Sequence, residues 1–253
     1  MTRHVRMARR LGIIGCGRIA RPVVQLCAEG GLPGWMLSGV LTRTGLPAGV
    51  ACATTDADAF LGLGHDLIVE AAGPAALATH GARALAVADV WTVSAAALAD
   101  PSLCSALEAA GTQSGHRLRL LSGAIAGLDG VAMAFADPKA ALATEAALEL
   151  EIDLPPAPDA PGRLFCGTVR EAARQFPDGV NVAVAAAFAG PGLDRARIEV
   201  NRWPARHRLA LAASGRHARV LASVEPDAAA GLHPVAACII ACLRRETQTI
   251  WAG

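Results

Sequence analysis

One run of nine residues carries the most specific chemistry in this chain: Gly12-Ile13-Ile14-Gly15-Cys16-Gly17-Arg18-Ile19-Ala20. Gly15, Gly17 and Ala20 spell G-x-G-x-x-A, after an apolar strand and before a helical stretch. The first glycine permits a tight turn, and the second lets backbone amides approach a diphosphate. A small third residue lets helix and strand pack closely. The helix N-terminus behind them adds partial positive charge. Gly15 and Gly17 are therefore candidate dinucleotide-binding residues.

The strand ends that follow refine this picture. An acid at the end of the second strand would bind the ribose hydroxyls of NAD. Here the run is Leu41-Thr42-Arg43-Thr44, with no acid nearby. Arg43, with Thr42 or Thr44, can hold a 2′-phosphate by charge-assisted hydrogen bonds, so NADP is favoured over NAD, with dual use open. Glu70-Ala71-Ala72-Gly73-Pro74 closes the third strand. Small Ala72 and Gly73 there suit the close approach of a nicotinamide ribose.

The elements that must position these residues change character along the chain. Short apolar runs (Leu11–Ile14, Leu37–Leu41, Leu67–Val69, Val90–Val93, Leu118–Leu121) alternate with helical stretches (Arg18–Glu29, Ala75–Ala86, Pro101–Ala110). That grammar predicts a Rossmann-type, doubly wound parallel sheet in an α/β fold, over 1–121. Later, Leu148, Leu150, Ile152 and Leu154 alternate with Glu149, Glu151 and Asp153, which predicts an antiparallel strand with one wet, acidic face. Pro155, Pro156, Pro158 and Pro161 predict a stiff loop. Alternation returns at Ile198–Val200, Leu209–Leu211 and Ala218–Val220. A smaller α+β domain with a mostly antiparallel sheet is expected over 122–231. Val235, Cys238, Ile239, Cys242 and Leu243 predict a final amphipathic helix, 232–245, which can close the second domain or return to the first.

Composition narrows the partners. The chain has 253 residues, 53% hydrophobic and 18% charged, enough for a sizeable core in one or two domains. A net charge of +1 gives no electrostatic case for nucleic acid or an anionic membrane. The longest uncharged stretch, Ala228–Leu243, is too short for a bilayer span. The basic start, Met1–Arg10, runs into Leu11–Gly17, too short and glycine-rich for a signal-peptide core. A soluble cytoplasmic protein is expected. There is no tyrosine, which excludes Tyr–Lys dehydrogenase chemistry, and the one lysine is Lys139. Seven scattered cysteines without a C-x-x-C pair argue against a disulfide framework and leave no metal site.

Several runs together resemble the L-aspartate dehydrogenase family: Gly12–Ala20, Asp66–Gly73 (DLIVEAAG), Ser94–Asp100 (SAAALAD), Leu118–Asp129 (LRLLSGAIAGLD), Arg170–Val182 (REAARQFPDGVNV) and Ala189–Asp194 (AGPGLD). The resemblance implies oxidative deamination of L-aspartate with NADP or NAD, through iminoaspartate, to oxaloacetate and ammonia. It also implies a homodimer formed through the second domain's sheet, with the last helix packed on the first domain. Carried over residue by residue, it implies cofactor contacts at Gly15–Ile19, Ala124 and Asn181. Ser122 and Gly123 would lie beside nicotinamide and substrate. The family's active-site histidine, in N-x-H, matches best at His207, 26 residues beyond Asn181, with alanine in place of the asparagine.

The chain departs from the family's pattern elsewhere. Asn201-Arg202-Trp203-Pro204 replaces an A-D-P run, His233-Pro234-Val235-Ala236-Ala237 replaces N-P-K-T-S, and Cys166 replaces an acid. These changes leave two alternatives open. One is a related dehydrogenase for another small amino or imino acid. The other is a catalytically silent NAD(P)-binding protein. A histidine near neutrality can shuttle the protons of amine oxidation and imine hydrolysis. Arg170, Arg174, Arg202, Arg206 and Arg208 are available as carboxylate clamps. His65, His80, His116, His217 and His233 carry no motif.

Overall fold

A computed structural model describes residues 7–43, 50, 52–137, 146–155, 157, 161–204, 206–227 and 231–252. Thr44, Lys139, Pro156, Pro158 and Ala205 lie outside the described residues. The chain divides into two compact units. The first holds 1–94, 102–121 and 231–253, and the second holds 95–101 and 122–230.

The first unit is built on a six-stranded sheet in the order β3-β2-β1-β4-β5-β6. Its strands are β1 (Arg9–Ile14), β2 (Trp35–Leu41), β3 (Ala53–Thr54), β4 (Leu67–Glu70), β5 (Asp89–Thr92) and β6 (Leu118–Leu120). All neighbouring pairs are parallel. Helices α1 (Ala20–Ala28), α2 (Ala57–Leu61), α3 (Pro74–Leu85) and α4 (Pro101–Ser114) alternate with them. β4 is buried throughout, as near-continuous apolar strands in two-sided parallel sheets are.

Two glycines on adjacent strands, Gly12 and Gly39, pair directly. The His65 ring lies over them. A Cβ on Gly12 would stand 2.8 Å from its Nδ1, and one on Gly39 would stand 3.3 Å from its Cε1. The ring is held between Ser38 Oγ (2.6 Å) and the Phe60 carbonyl (2.8 Å), which accepts from Nε2, and it stacks 4.4 Å from Phe60. Burial pushes its pKa down. His65 is thus a neutral, satisfied part of the core.

The final helix of the chain, Pro234–Thr247, belongs to this first unit and shares its core. Ile239 and Leu243 are wholly buried with Val23 and Val24 of α1. Trp35 Nε1 donates to the Leu243 carbonyl at 2.7 Å, and Arg9 bridges the Trp35 ring and Glu246. Two residues of its last turn are thereby tied to β1 and β2.

The second unit is α+β. Its sheet, ordered β11-β10-β7-β9-β8, uses β7 (Ala147–Leu154), β8 (Gly162–Thr168), β9 (Arg197–Arg202), β10 (Leu209–Ser214) and β11 (Arg219–Val224). Only β7–β9 is a parallel pair; the other three are antiparallel. Helices α5 (Leu128–Ala134), α6 (Val169–Gln175) and α7 (Asn181–Ala189) complete it, with the closing helix above as α8. Leu148, Leu150, Ile152, Ile198, Leu209 and Leu211 fill its core. One expectation needs correction. The acidic face of β7 is wet at Glu149 but dry at Asp153, which is 0% exposed. Asn201 and two arginines cover it.

The packing of Gly12 against His65 yields a test. Gly12→Ala should cost about 1–3 kcal/mol by overpacking, read as a lower thermal midpoint. Adding His65→Ala should cost much less than the two single changes summed, because the clash is removed.

Candidate active site

In the first unit the chain leaves β1 through a turn that only glycine fits. Gly15 adopts φ +109°, and a Cβ there would stand 2.9 Å from the Ala71 carbonyl and 3.0 Å from Ala72 Cβ. The turn is pinned from both sides. Gly15 N donates to Leu41 O at 2.8 Å, and Ala71 N donates to Ile14 O at 2.9 Å. A Cβ on Gly17, by contrast, would meet nothing within 4 Å. That open space lies before α1, whose N-cap Ile19 makes no side-chain cap and whose first turn holds no acid. Arg18 is exposed and Ile19 half-buried. Free amides, a helix N-terminus and room over a glycine are what a dinucleotide's diphosphate needs, so these residues fit that group.

Other predicted cofactor residues lie along the same carboxyl edge of the sheet. Arg43 is exposed just past β2, while Thr42 beside it is buried and donates its amide to Thr54 O at 3.0 Å. Ala72 and Gly73 form the turn after β4. Gly73 takes φ +103°, and a Cβ on it would meet nothing within 4 Å.

A residue without an assigned role in the motif reading holds that turn. Glu70 is 1% exposed. Its Oε1 accepts from the amides of Ala72 (2.7 Å) and Gly73 (3.0 Å), and its Oε2 accepts from Thr92 Oγ1. The Ser94 hydroxyl also favours the charged form. Burial raises its pKa, and these four donors pull against that rise. The signal in the sequence was a lone acid ending an otherwise apolar strand, Leu67-Ile68-Val69-Glu70.

In the second unit, Ser122, Gly123 and Ala124 form a tight turn directly after Leu121. Gly123 has φ +62°, and Ile125 N donates to Ser122 O at 3.2 Å. Asn181 opens α7 with its side chain engaged. Oδ1 accepts from Ala96 N at 2.9 Å, and Nδ2 donates to Pro177 O at 3.3 Å. The side chain therefore ties α7 to the 3-10 turn Ala95–Ala99.

His207 sits just before β10, half-buried. Burial lowers its pKa, and Asp153 pulls it back up. Its segment is clamped from both flanks. Arg206 Nε stands 2.6 Å from Asp153 Oδ2, an ion contact without an aligned hydrogen bond. Arg206 also meets Glu151 at 3.1 Å, as does Arg208 more closely. Asp153 N donates to Arg208 O at 2.8 Å, and Asn201 Nδ2 to Asp153 Oδ1 at 3.3 Å. A buried carboxylate without such partners would cost several kcal/mol (order-of-magnitude estimate).

Three of the arginines considered as substrate clamps are thus already engaged with acids of this chain. Arg206 and Arg208 serve the network around Asp153. Arg170 forms a two-point pair with Asp194, at 2.6 and 2.9 Å, and donates to Ala99 O at 2.8 Å. The Asp153 network was not foreseen, because its members lie on β7, β9 and the approach to β10. His233 caps α8, accepting from Val235 N at 3.2 Å. Cys166 is exposed and pairs in register with Glu199.

Comparison with known proteins agrees with both units. Residues 15–121 match the family model described as the homoserine dehydrogenase NAD-binding domain, and residues 119–241 match that of the aspartate dehydrogenase C-terminal region. An L-aspartate dehydrogenase of Ruegeria pomeroyi is 35% identical over 90% of this chain and 78% of its own length. L-aspartate dehydrogenase 1 of Bordetella pertussis is 34% identical over 76% of each. The crystal structure of aspartate dehydrogenase from Thermotoga maritima has the same fold, with TM-score 0.74, 20% identity, and coverage of 97% of this chain and 99% of that one. An engineered D-amino acid dehydrogenase bound to NADP+ is a more distant fold neighbour, with TM-score 0.52 and 14% identity over 94% of this chain and 89% of that one. Among the described residues, no helix is long and apolar enough to cross a membrane. On the strength of the Ruegeria relative, matched over most of both lengths, this chain belongs to the L-aspartate dehydrogenase family.

Proposed function

We propose that this chain catalyses the NAD(P)-dependent oxidative deamination of L-aspartate to oxaloacetate and ammonia through iminoaspartate. The observation that carries the reading is the diphosphate turn, pinned at Gly15 and open at Gly17, in a chain 35% identical to a named L-aspartate dehydrogenase. The functional domains are 1–121 with helix 232–245, for the dinucleotide, and 122–231, for substrate and dimer contact.

When bound, the nicotinamide supplies the hydride acceptor. The remaining work falls to this chain's residues. The amides after Gly15, with Arg18 and Ile19, hold the diphosphate. Ala72, Gly73, Ala124 and Asn181 line the rest of the cofactor, and Ser122 and Gly123 face the substrate. His207 takes the proton that the substrate ammonium must lose and releases it to solvent; neutral again, it takes a proton from the water that attacks the imine and passes that proton to the departing ammonia. Its lowered pKa keeps it neutral, and so able to accept a proton, at neutral pH. Arg43, exposed at the end of β2 with no acid beside it, favours NADP by pairing with the 2′-phosphate.

One observation keeps a second substrate class in view. Where the family carries N-P-K-T-S, His233 is used as a helix cap and Ala236 is wholly buried. Neither the lysine nor the hydroxyls are available to a substrate carboxylate there. A panel of small amino acids assayed beside L-aspartate decides which is preferred.

The open face of the second unit's sheet supports the homodimer. A groove of about 660 Å³ runs across it, lined by Glu149, Glu151, Glu199, Arg197 and Arg208. Leu221, 69% exposed, stands on the same sheet. Acids and arginines side by side around an apolar residue make a self-complementary patch, as a two-fold interface requires. The seven cysteines, none in a disulfide among the described residues, fit a cytoplasmic enzyme.

Four outcomes are expected. His207→Ala should lower turnover by at least about 100-fold while leaving the dissociation constant for NADP+ unchanged. In the unaltered enzyme the acid limb of kcat/KM should fall below pH 6.5, the ordinary histidine value, because burial depresses His207. Arg43→Ala should weaken NADP+ by about tenfold and leave NAD+ unaffected, measured by calorimetry. In light scattering the protein should have twice the chain mass, and Leu221→Arg should return it to one.

A further inference from the structure

Glu70 poses a question of charge. It is buried, and among the described residues no cation pairs with it. Its hydrogen-bond partners are two amides and the Thr92 hydroxyl, all neutral. All of these partners donate, so both oxygens accept, which an ionised carboxylate can do and an amide nitrogen cannot. A buried charge met only by neutral donors keeps its field, and that field needs a target.

Its position supplies one. Glu70 ends β4 and holds the turn at Ala72 and Gly73, while Thr92 ends β5 and its Oγ1 accepts from Ser94 N at 2.9 Å. One carboxylate thus joins the turns after two adjacent strands. Gly15's turn rests on the first of them, through the 2.9 Å bond from Ala71 N to Ile14 O. In a sheet ordered β3-β2-β1-β4-β5-β6 the dinucleotide crosses the carboxyl ends of the strands. Its diphosphate falls at β1 and its adenosine half toward β2. The nicotinamide half then falls toward β4 and β5, where Glu70 lies. The oxidised nicotinamide ring carries a positive charge that the reduced ring lacks.

We propose that Glu70 is a positioning residue that also selects the coenzyme's redox state: its buried carboxylate fixes the two turns flanking the nicotinamide half and weights binding toward the oxidised form. This rests on the reading of the chain as an NAD(P)-dependent dehydrogenase. The uncompensated charge acts over a distance through a medium of low polarisability, so it need not touch the ring.

The test measures equilibrium binding with the full-length protein. Dissociation constants for NADP+ and NADPH, and for NAD+ and NADH, are determined by calorimetry for the unaltered protein and for Glu70→Gln, with folding checked by circular dichroism. The ratio of the reduced to the oxidised constant should fall by about three- to tenfold in Glu70→Gln, the order expected for loss of one buried charge on that side of the site. An equal change in both constants, or none, overturns the proposal, since it leaves Glu70 a purely structural clamp. Thr92→Val removes a donor but keeps the charge. It should weaken both forms together and leave the ratio within about twofold, and it serves as the test should Glu70→Gln not fold. A ratio that moves beyond that in Thr92→Val, or constants that do not move, also overturns the proposal. If the unaltered protein binds neither coenzyme in either form, the dehydrogenase reading itself fails, a result distinct from an unchanged ratio.

Discussion

The first unit depends on one steric constraint, the absence of a side chain at Gly15. The turn there needs a positive φ, and it needs the Ala71 carbonyl to come closer than any Cβ would allow. Meeting both conditions brings the ends of β1 and β4 together and points the start of α1 at open space over Gly17. Nothing else in the unit compels that opening. The sheet would be as well buried with a bulkier turn, but its amides would then face a side chain and could not take up a diphosphate.

The two units contain buried carboxylates handled in opposite ways. Asp153 lies among Arg206, Arg208 and Asn201, so its charge is balanced where it stands. Glu70 is met by neutral donors only. Hydrogen bonds stabilise an ion without cancelling its field, whereas ion pairs do both. The Asp153 network consequently anchors a segment, the one carrying His207, and leaves little net field around it. Glu70 anchors two turns and leaves its charge felt at the sheet's carboxyl edge.

Two of the chain's departures from its family fall at the end of β9 and at the start of α8, and the third, Cys166, lies in β8. The replacement run Asn201-Arg202-Trp203-Pro204 contributes Asn201 to the Asp153 cluster. The replacement His233-Pro234-Val235 contributes a helix cap and a proline at the first helical turn, where a missing amide hydrogen costs nothing. Both substitutions therefore have structural uses of their own, and neither touches the diphosphate turn.

Much of the fold was legible because its signals are local. Continuous apolar runs between helical stretches marked the parallel strands, and period-two alternation marked β7. α7 was not recognised as a helix, since it is apolar on every side and presents no stripe. β3 and α2 are too short to display a period.

The G-x-G-x-x-A turn, Arg43 at the end of β2 and the match of His207 to the family's histidine could be read from residue order alone. A positive φ is a demand on one residue, so sequence by itself marked the turn, while Arg43 and His207 were singled out by their place in residue order. The arginines' partners, the dry end of β7 and the clamp at Glu70 could not be read that way. Each joins residues far apart in the chain. Which carboxylate is desolvated, and by what it is satisfied, is decided only when strands lie side by side.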